Sequence, residues 1–300
     1  MSNTKLRSAK FSINELVKKT KSYSFASQAD MRHMLLRCIK DLHQLGFKIG
    51  HIKGLQSKHI YVLVALWKTQ NKNTATIKNY MSKLRRTALL LDDLKLIKSS
   101  NDDYNISKRS YIPTHNKAIH NIDLATCIDP YIRLSLEGQS LFGLRREESM
   151  KFTLSKAWQG NDTIKILPSW TKGGVGRVLV ITNAEQIEWL NKVKNLVKSG
   201  ESLIPKDRSY KQHLHYYQKQ ITQMSLSKLH GLRHAYAQNR YYELTLAMDP
   251  HKKGWNAPLA GGPQKKQLSS EQKEIDLKAR YILTRELGHS RSAIVKIYVG

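Results

Sequence analysis

Residues 227–236 read SKLHGLRHAY, which sets His230, Arg233 and His234 within five positions of one another. Residues three and four apart share a helix face, so a helix here would point all three side chains roughly one way. Two histidines at i and i+4 admit a zinc reading. Zinc needs three or four protein ligands, however, and the protease form of the pattern has glutamate directly after the first histidine. Gly231 holds that place, and Arg233 would set a permanent cation beside the ion, so no metal is expected. Phosphate fits better: a guanidinium pairs bidentately with phosphoryl oxygens at any physiological pH, and a histidine one turn away adds a donor that titrates near neutrality.

Further groups stand in separate boxes. SLFGLRREESMKF places Arg145 after a Gly-Leu turn, with Glu148 three residues on, and TKGGVGR offers Lys172 in a glycine-rich turn. RELGHSRSAIVKIYVG supplies His289 and, nine residues later, Tyr298. Taken singly, each has a plain structural role. Arg145 can pair with Glu148, Lys172 can be an exposed hairpin lysine, and Tyr298 can be a packing aromatic.

These groups need a scaffold and a polyanion to act on. Lys and Arg total 51 against 23 Asp and Glu, a formal net charge of +28 with a pI near 10.0. Such an excess is costly through self-repulsion unless a polyanion offsets it, and nucleic acid is the commonest one. Residues 1–100 have 20 basic against 5 acidic side chains, whereas residues 101–150 have 6 against 7, so the grip is concentrated at the N-terminal third. Cys38 and Cys127 are isolated and flanked by apolar residues, as expected of buried thiols in a reducing cytoplasm. With no apolar leader and no long apolar window, neither secretion nor a membrane partner is expected.

The periodicity predicts a basic arm over 1–25, a helical unit over 26–100, a polar turn-rich linker over 101–116 and a larger unit over 117–300. In the first unit Ser27 reads as an N-cap, and helices follow from Ser57 and from near Thr74. The third helix shows Lys78, Lys83, Arg85 and Arg86 away from its apolar stripe, as a phosphate-contacting helix would. Residues 118–150 read as helical, β-prone runs at 163–167 and 177–182 flank Gly173, Gly174 and Gly176, and helical periodicity resumes from 184. The expected fold class is mainly α with a small antiparallel β-insert.

The ordered set GLRREE, TKGGVGR, HGLRHAYA and LGHSRSAIVKIY, spanning 143–298, resembles the tyrosine recombinase family of phage-integrase type. The resemblance extends to the helical first unit, similar to that family's core-binding domain, and to integrases of prophages and integrative elements. It implies an α+β catalytic domain and assigns roles residue by residue. Arg145 and Arg233 match the arginine pair that clamps the scissile phosphate, and Lys172 the lysine that protonates the leaving 5′ oxygen. His230 and His289 match the two box positions, and Tyr298 the nucleophile. Glu148 and His234 are expected as support. The reaction implied is strand exchange through a 3′-phosphotyrosyl intermediate with no cofactor, on double-stranded DNA sites, within a homo-tetrameric synapse that accessory DNA-bending proteins can assist, at a bacterial nucleoid.

The sequence departs from the pattern between its last two boxes. Between Arg233 and Gly288 lie 54 residues, more than is usual there, and a Gly/Pro/Lys-rich stretch at 247–275 reads as a surface insertion or disordered loop. Two rival readings remain at this point: a type IB topoisomerase that relaxes DNA as a monomer, and a basic DNA-binding protein with no covalent chemistry.

Overall fold

Apolar residues at helical spacing build both halves of the molecule. The computed structural model describes residues 2–109, 113 and 115–300, and the chain divides into two compact units, 1–110 and 111–300.

The first unit consists of α1 (Ser2–Lys18), α2 (Phe25–Gln44), α3 (Ser57–Thr69) and α4 (Thr74–Leu91). Ile13, Leu35, Leu42, Ile60, Trp67, Met81 and Leu84 are at most 1% exposed, and each such side chain contributes about 1.5–3 kcal/mol by leaving water. The expected arm is instead α1, which buries Ala9, Ile13, Leu16 and Val17 in this core. Its stripe is only four residues long and is interleaved with the exposed Lys5, Arg7 and Lys10, so composition hid it. Ser24, not Ser27, caps α2: its hydroxyl accepts the Ser27 N–H at 3.2 Å. The expected linker starts too early, because Tyr104 and Ile106 are buried in the same core and the Tyr104 hydroxyl accepts the Lys98 N–H at 2.9 Å. Its centre, residues 110–112 and 114, lies outside the described residues.

The second unit contains α5 (Pro130–Phe142), α6 (Arg146–Lys151), α7 (Leu154–Ala157), β1 (Thr163–Ile166), β2 (Arg177–Val180), α8 (Ala184–Leu196), α9 (Tyr210–Gln223), α10 (His230–Met248), α11 (Ser270–Glu286) and α12 (Lys296–Val299). β1 and β2 pair antiparallel, from Thr163 opposite Val180 to Ile166 opposite Arg177. The protein is thus mainly α with one small sheet among the described residues. Residues 118–129 are not helical as expected. Helix starts only where the Asp129 carboxylate accepts the Tyr131 and Ile132 N–H groups, with Pro130 at the first position, and before it the Ile119 N–H is spent on the Gly231 carbonyl at 3.0 Å.

The expected insertion, 247–275, is ordered and partly core. Asp249 accepts N–H groups from His251, Lys253 and Gly254, while Trp255, Ala257 and Leu268 are buried with Tyr241 and Leu283. The Trp255 indole donates to the Tyr241 hydroxyl at 3.0 Å, which donates to Asp276 at 2.6 Å. A few buried side chains, Trp255 the largest, dock the segment, and average composition does not register them amid Gly, Pro and Lys. Among the described residues no helix is long and apolar enough to cross a membrane.

Candidate active site

α10 opens at His230, which puts Arg233 one turn in and at 1% exposure. Its Nη1 donates to the Gly143 carbonyl and its Nη2 to the Leu287 carbonyl. These two residues are the C-caps of α5 and α11, so the guanidinium satisfies two helix ends whose carbonyls have no helical partner. Burial lowers the Arg233 pKa to about 10, which still leaves it charged at neutral pH. Its Nε is buried without a hydrogen bond among the described residues.

Arg145 precedes α6 at its N-cap, and Glu148 reaches back to it. The carboxylate of Glu148, fully buried, accepts the Arg145 N–H at 2.8 Å, Arg145 Nη1 at 2.6 Å, and Arg177 Nη1 and Nη2 at 3.0 and 2.7 Å. Burial pushes this carboxyl upward, but hydrogen bonds and charge from Arg177 and Arg145 outweigh it and hold the pKa at about 2. Arg145 Nη2 also donates to Leu287, and Arg177 Nε to Glu286 at 2.6 Å. Gly288, with φ of +60°, lets Arg177 come close: a Cβ there would lie 3.2 Å from Arg177 Cδ.

Tyr298 sits on α12 at 5% exposure, and its hydroxyl lies 3.4 Å from His230 Nε2. The rings of His234 and His289 are centred 4.6 and 5.6 Å from it, and the Arg233 guanidinium carbon lies 5.8 Å from its centroid. Lost solvation and the charges of Arg233, Arg145 and Lys117 lower the His230 pKa. Burial first, then neighbouring cations and the His230 ring, takes His234 down to about 4, and His289 falls likewise to about 4. His234 Nδ1 and His289 Nε2 are buried with no hydrogen bond among the described residues.

A cleft of about 750 Å³ opens beside this cluster, lined by Arg145, Glu148, Lys172, Trp170, Tyr217 and His230 among others. Lys172 stands exposed in the turn between β1 and β2, where Gly173 and Gly174 take positive φ. Arg145, Lys172 and His230 thus face one cleft, while Tyr298, Arg233, His234 and His289 pack behind His230. Among the described residues no group of three or more His, Cys, Asp or Glu side chains forms a metal set. In the first unit, Arg86 is exposed and lies over the Tyr23 ring at 4.8 Å, Lys78 is half-buried, and Lys83 pairs with Asp30 at 2.6 Å. Arg85 is committed to the fold, donating to Lys98, Ser100 and Asn101.

Sequence reasoning missed Arg177, Lys117 and Glu286. Arg177 lies at the end of the quoted TKGGVGR box, and its place on a strand beside a turn gave no hint of a buried partner. Glu286 accepts from Arg240 and from the Tyr236 hydroxyl and so anchors the end of α11.

Fold and site together define a two-unit, mainly helical protein whose second unit gathers arginines, histidines, a lysine and a tyrosine at and beside one cleft. A family profile described as integrase matches residues 105–239, and one described as phage integrase, N-terminal, matches residues 10–90. The chain belongs to the phage-integrase family of tyrosine recombinases, which are DNA strand-exchange enzymes. No curated protein sequence matches it. Among solved structures, it shares its fold with the XerH site-specific recombinase bound to difH substrate (TM-score 0.52, 18% identity, 96% of this chain and 81% of that one). A lambda integrase dimer bound to a COC′ core site gives TM-score 0.56 and 15% identity over 96% of this chain and 76% of that one. The Tn1549 transposon integrase with circular intermediate DNA gives 0.53 and 12%, over 98% and 95%.

Proposed function

We propose that this enzyme integrates or excises a mobile element by cutting and rejoining double-stranded DNA at paired sites, with Tyr298 as nucleophile. The observation that carries this reading is the Tyr298 hydroxyl 3.4 Å from His230 Nε2, beside a cleft shared by Arg145 and Lys172. A tyrosine with an ordinary pKa near ~10 attacks poorly at neutral pH unless its proton is accepted. Lost solvation and nearby cations favour the neutral His230 ring, which in its Nδ1–H tautomer presents Nε2 to take that proton. Attack on the phosphorus then forms the 3′-phosphotyrosyl bond as the bond to the 5′ oxygen breaks, and Lys172 donates the proton that oxygen needs. Arg145 and Arg233 offset the charge that gathers on the non-bridging oxygens. Attack by another 5′ hydroxyl reverses the sequence and completes the exchange.

His289 and His234 brace the Tyr298 ring, and Glu148 orients Arg145. Lys78, Lys83 and Arg86 contact phosphates from the first unit, whereas Arg85 holds that unit together. The synapse is a homo-tetramer on two DNA sites, open to DNA-bending accessory proteins, at the nucleoid of a bacterial cytoplasm.

The test is covalent capture. The protein is incubated with a pool of nicked random-sequence duplexes and denatured in SDS, and the attached DNA is sequenced. An adduct lost in Tyr298→Phe is expected, and an adduct that persists in that variant would remove Tyr298 from the role. Recombination between two captured sites separates strand exchange from relaxation alone.

A further inference from the structure

α12 is four residues long, too short to hold a helical shape without outside help. Its geometry, and with it the aim of Tyr298, must come from contacts to other elements. Two are made to main-chain carbonyls: Arg280 Nη1 donates to Gly300 at 2.6 Å, and Gln238 Nε2 donates to Tyr298 at 2.9 Å.

Gln238 lies on α10, two turns beyond His230, and is 3% exposed. A buried glutamine amide can face either way, and only one orientation offers its N–H to Tyr298. That choice is made by Asn116. The Ala118 N–H donates to Asn116 Oδ1 at 3.0 Å, which fixes that atom as the oxygen. Asn116 Oδ1 also accepts Gln238 Nε2 at 2.8 Å, and Asn116 Nδ2 donates back to Gln238 Oε1 at 3.2 Å. With one N–H committed to Asn116, the remaining one points at the Tyr298 carbonyl. Asn116 in turn belongs to the stretch by which the chain enters the second unit, a stretch anchored on α10 through the Ile119 N–H and the Gly231 carbonyl.

We propose that the Asn116–Gln238 pair is a positioning device that aims the Tyr298 hydroxyl through the main chain of α12. The inference rests on the reading of Tyr298 given above. Neither residue touches the reacting atoms. Both act through the backbone of α12, where a displacement of about 1 Å is enough to slow an in-line attack severely.

The experiment measures single-turnover adduct formation at saturating captured duplex, alongside DNA affinity. Gln238→Glu keeps the shape but removes both N–H donors, and its adduct rate should fall about tenfold while affinity stays within about twofold. Asn116→Leu, at a more accessible position, should cut the rate about threefold, whereas Asn116→Asp keeps the acceptor for Gln238 Nε2 while losing the donor to Gln238 Oε1 and should cost less than Asn116→Leu. A general loss of packing would not separate Asp from Leu at position 116 and would lower affinity along with rate. Unchanged rates in Gln238→Glu and Asn116→Leu would overturn the positioning role alone. No adduct from the unaltered protein would overturn it together with the assignment of Tyr298.

Discussion

The two walls of the site are built to opposite rules. On the arginine wall every acceptor position of Glu148 is taken, by Arg145 and Arg177, and Arg145, Arg177 and Arg233 donate to the carbonyls that end α5 and α11. On the histidine–tyrosine wall, among the described residues, His234 Nδ1 and His289 Nε2 are buried without hydrogen bonds and the Tyr298 hydroxyl has only a long contact to His230. Unsatisfied buried polar atoms cost about 1–3 kcal/mol each, so folding alone does not reward that wall. The first wall is stability that also presents charge. The second is held in place by its surroundings, with hydrogen-bonding capacity unspent.

This contrast can be broken from either side. Tyr298→Phe should abolish adduct formation, a loss of about 10³-fold or more, with the melting temperature nearly unchanged, because its hydroxyl contributes little to the fold. Glu148→Ala should do the reverse in kind: it leaves Arg177 unpaired in the interior and should cost about 3–5 kcal/mol, read in thermal or denaturant melts of the whole chain. Equal melting temperatures for Glu148→Ala and the unaltered protein would erase the distinction between the walls.

Lys172→Ala should slow cleavage by about 10²-fold, and a 5′-bridging sulfur at the scissile position should restore most of it, since a thiolate leaves without a proton. A defect that sulfur does not relieve would make Lys172 a binding residue only. The pH dependence separates the walls again. His234 and His289 titrate ordinarily at 6.5 when unfolded but at about 4 here, so the unfolded chain binds more protons and stability should fall as pH drops from about 6.5 toward 4. Glu148, lowered from 4.5 to about 2, adds stability that is present above 4.5 and is lost as pH falls through that lower window. Replacing His234 and His289 should therefore flatten the upper arm of a stability–pH curve and leave the lower one. The smallest effect is expected from Arg86→Ala in the first unit, which should leave sequence preference intact and reduce the slope of log affinity against log salt by about one.

Much of this was legible in the residues. The spacing of His230, Arg233 and His234 fitted a helix that the structure contains, Arg145 and Glu148 fitted a helix start, and the paired β-prone runs fitted a hairpin, because each pattern reflects geometry local to a few residues. Failures came where local pattern competed with contacts distant in the chain. α1 looked like an arm because lysines diluted a short apolar stripe, residues 118–129 looked helical until Ile119 was spent on α10, and Trp255 docked a loop whose average composition read as disordered.

The order of the boxes and the identities of Arg145, Lys172, His230, Arg233, His289 and Tyr298 were decided by sequence alone, since side-chain chemistry and chain order need no fold to be read. Which of those groups would be satisfied and which left waiting was decided only by tertiary structure. Arg177 meets Glu148 across 29 positions, and Gln238 meets Tyr298 across 60. No local periodicity encodes such pairings, because burial and hydrogen-bond direction are properties of the packed interior.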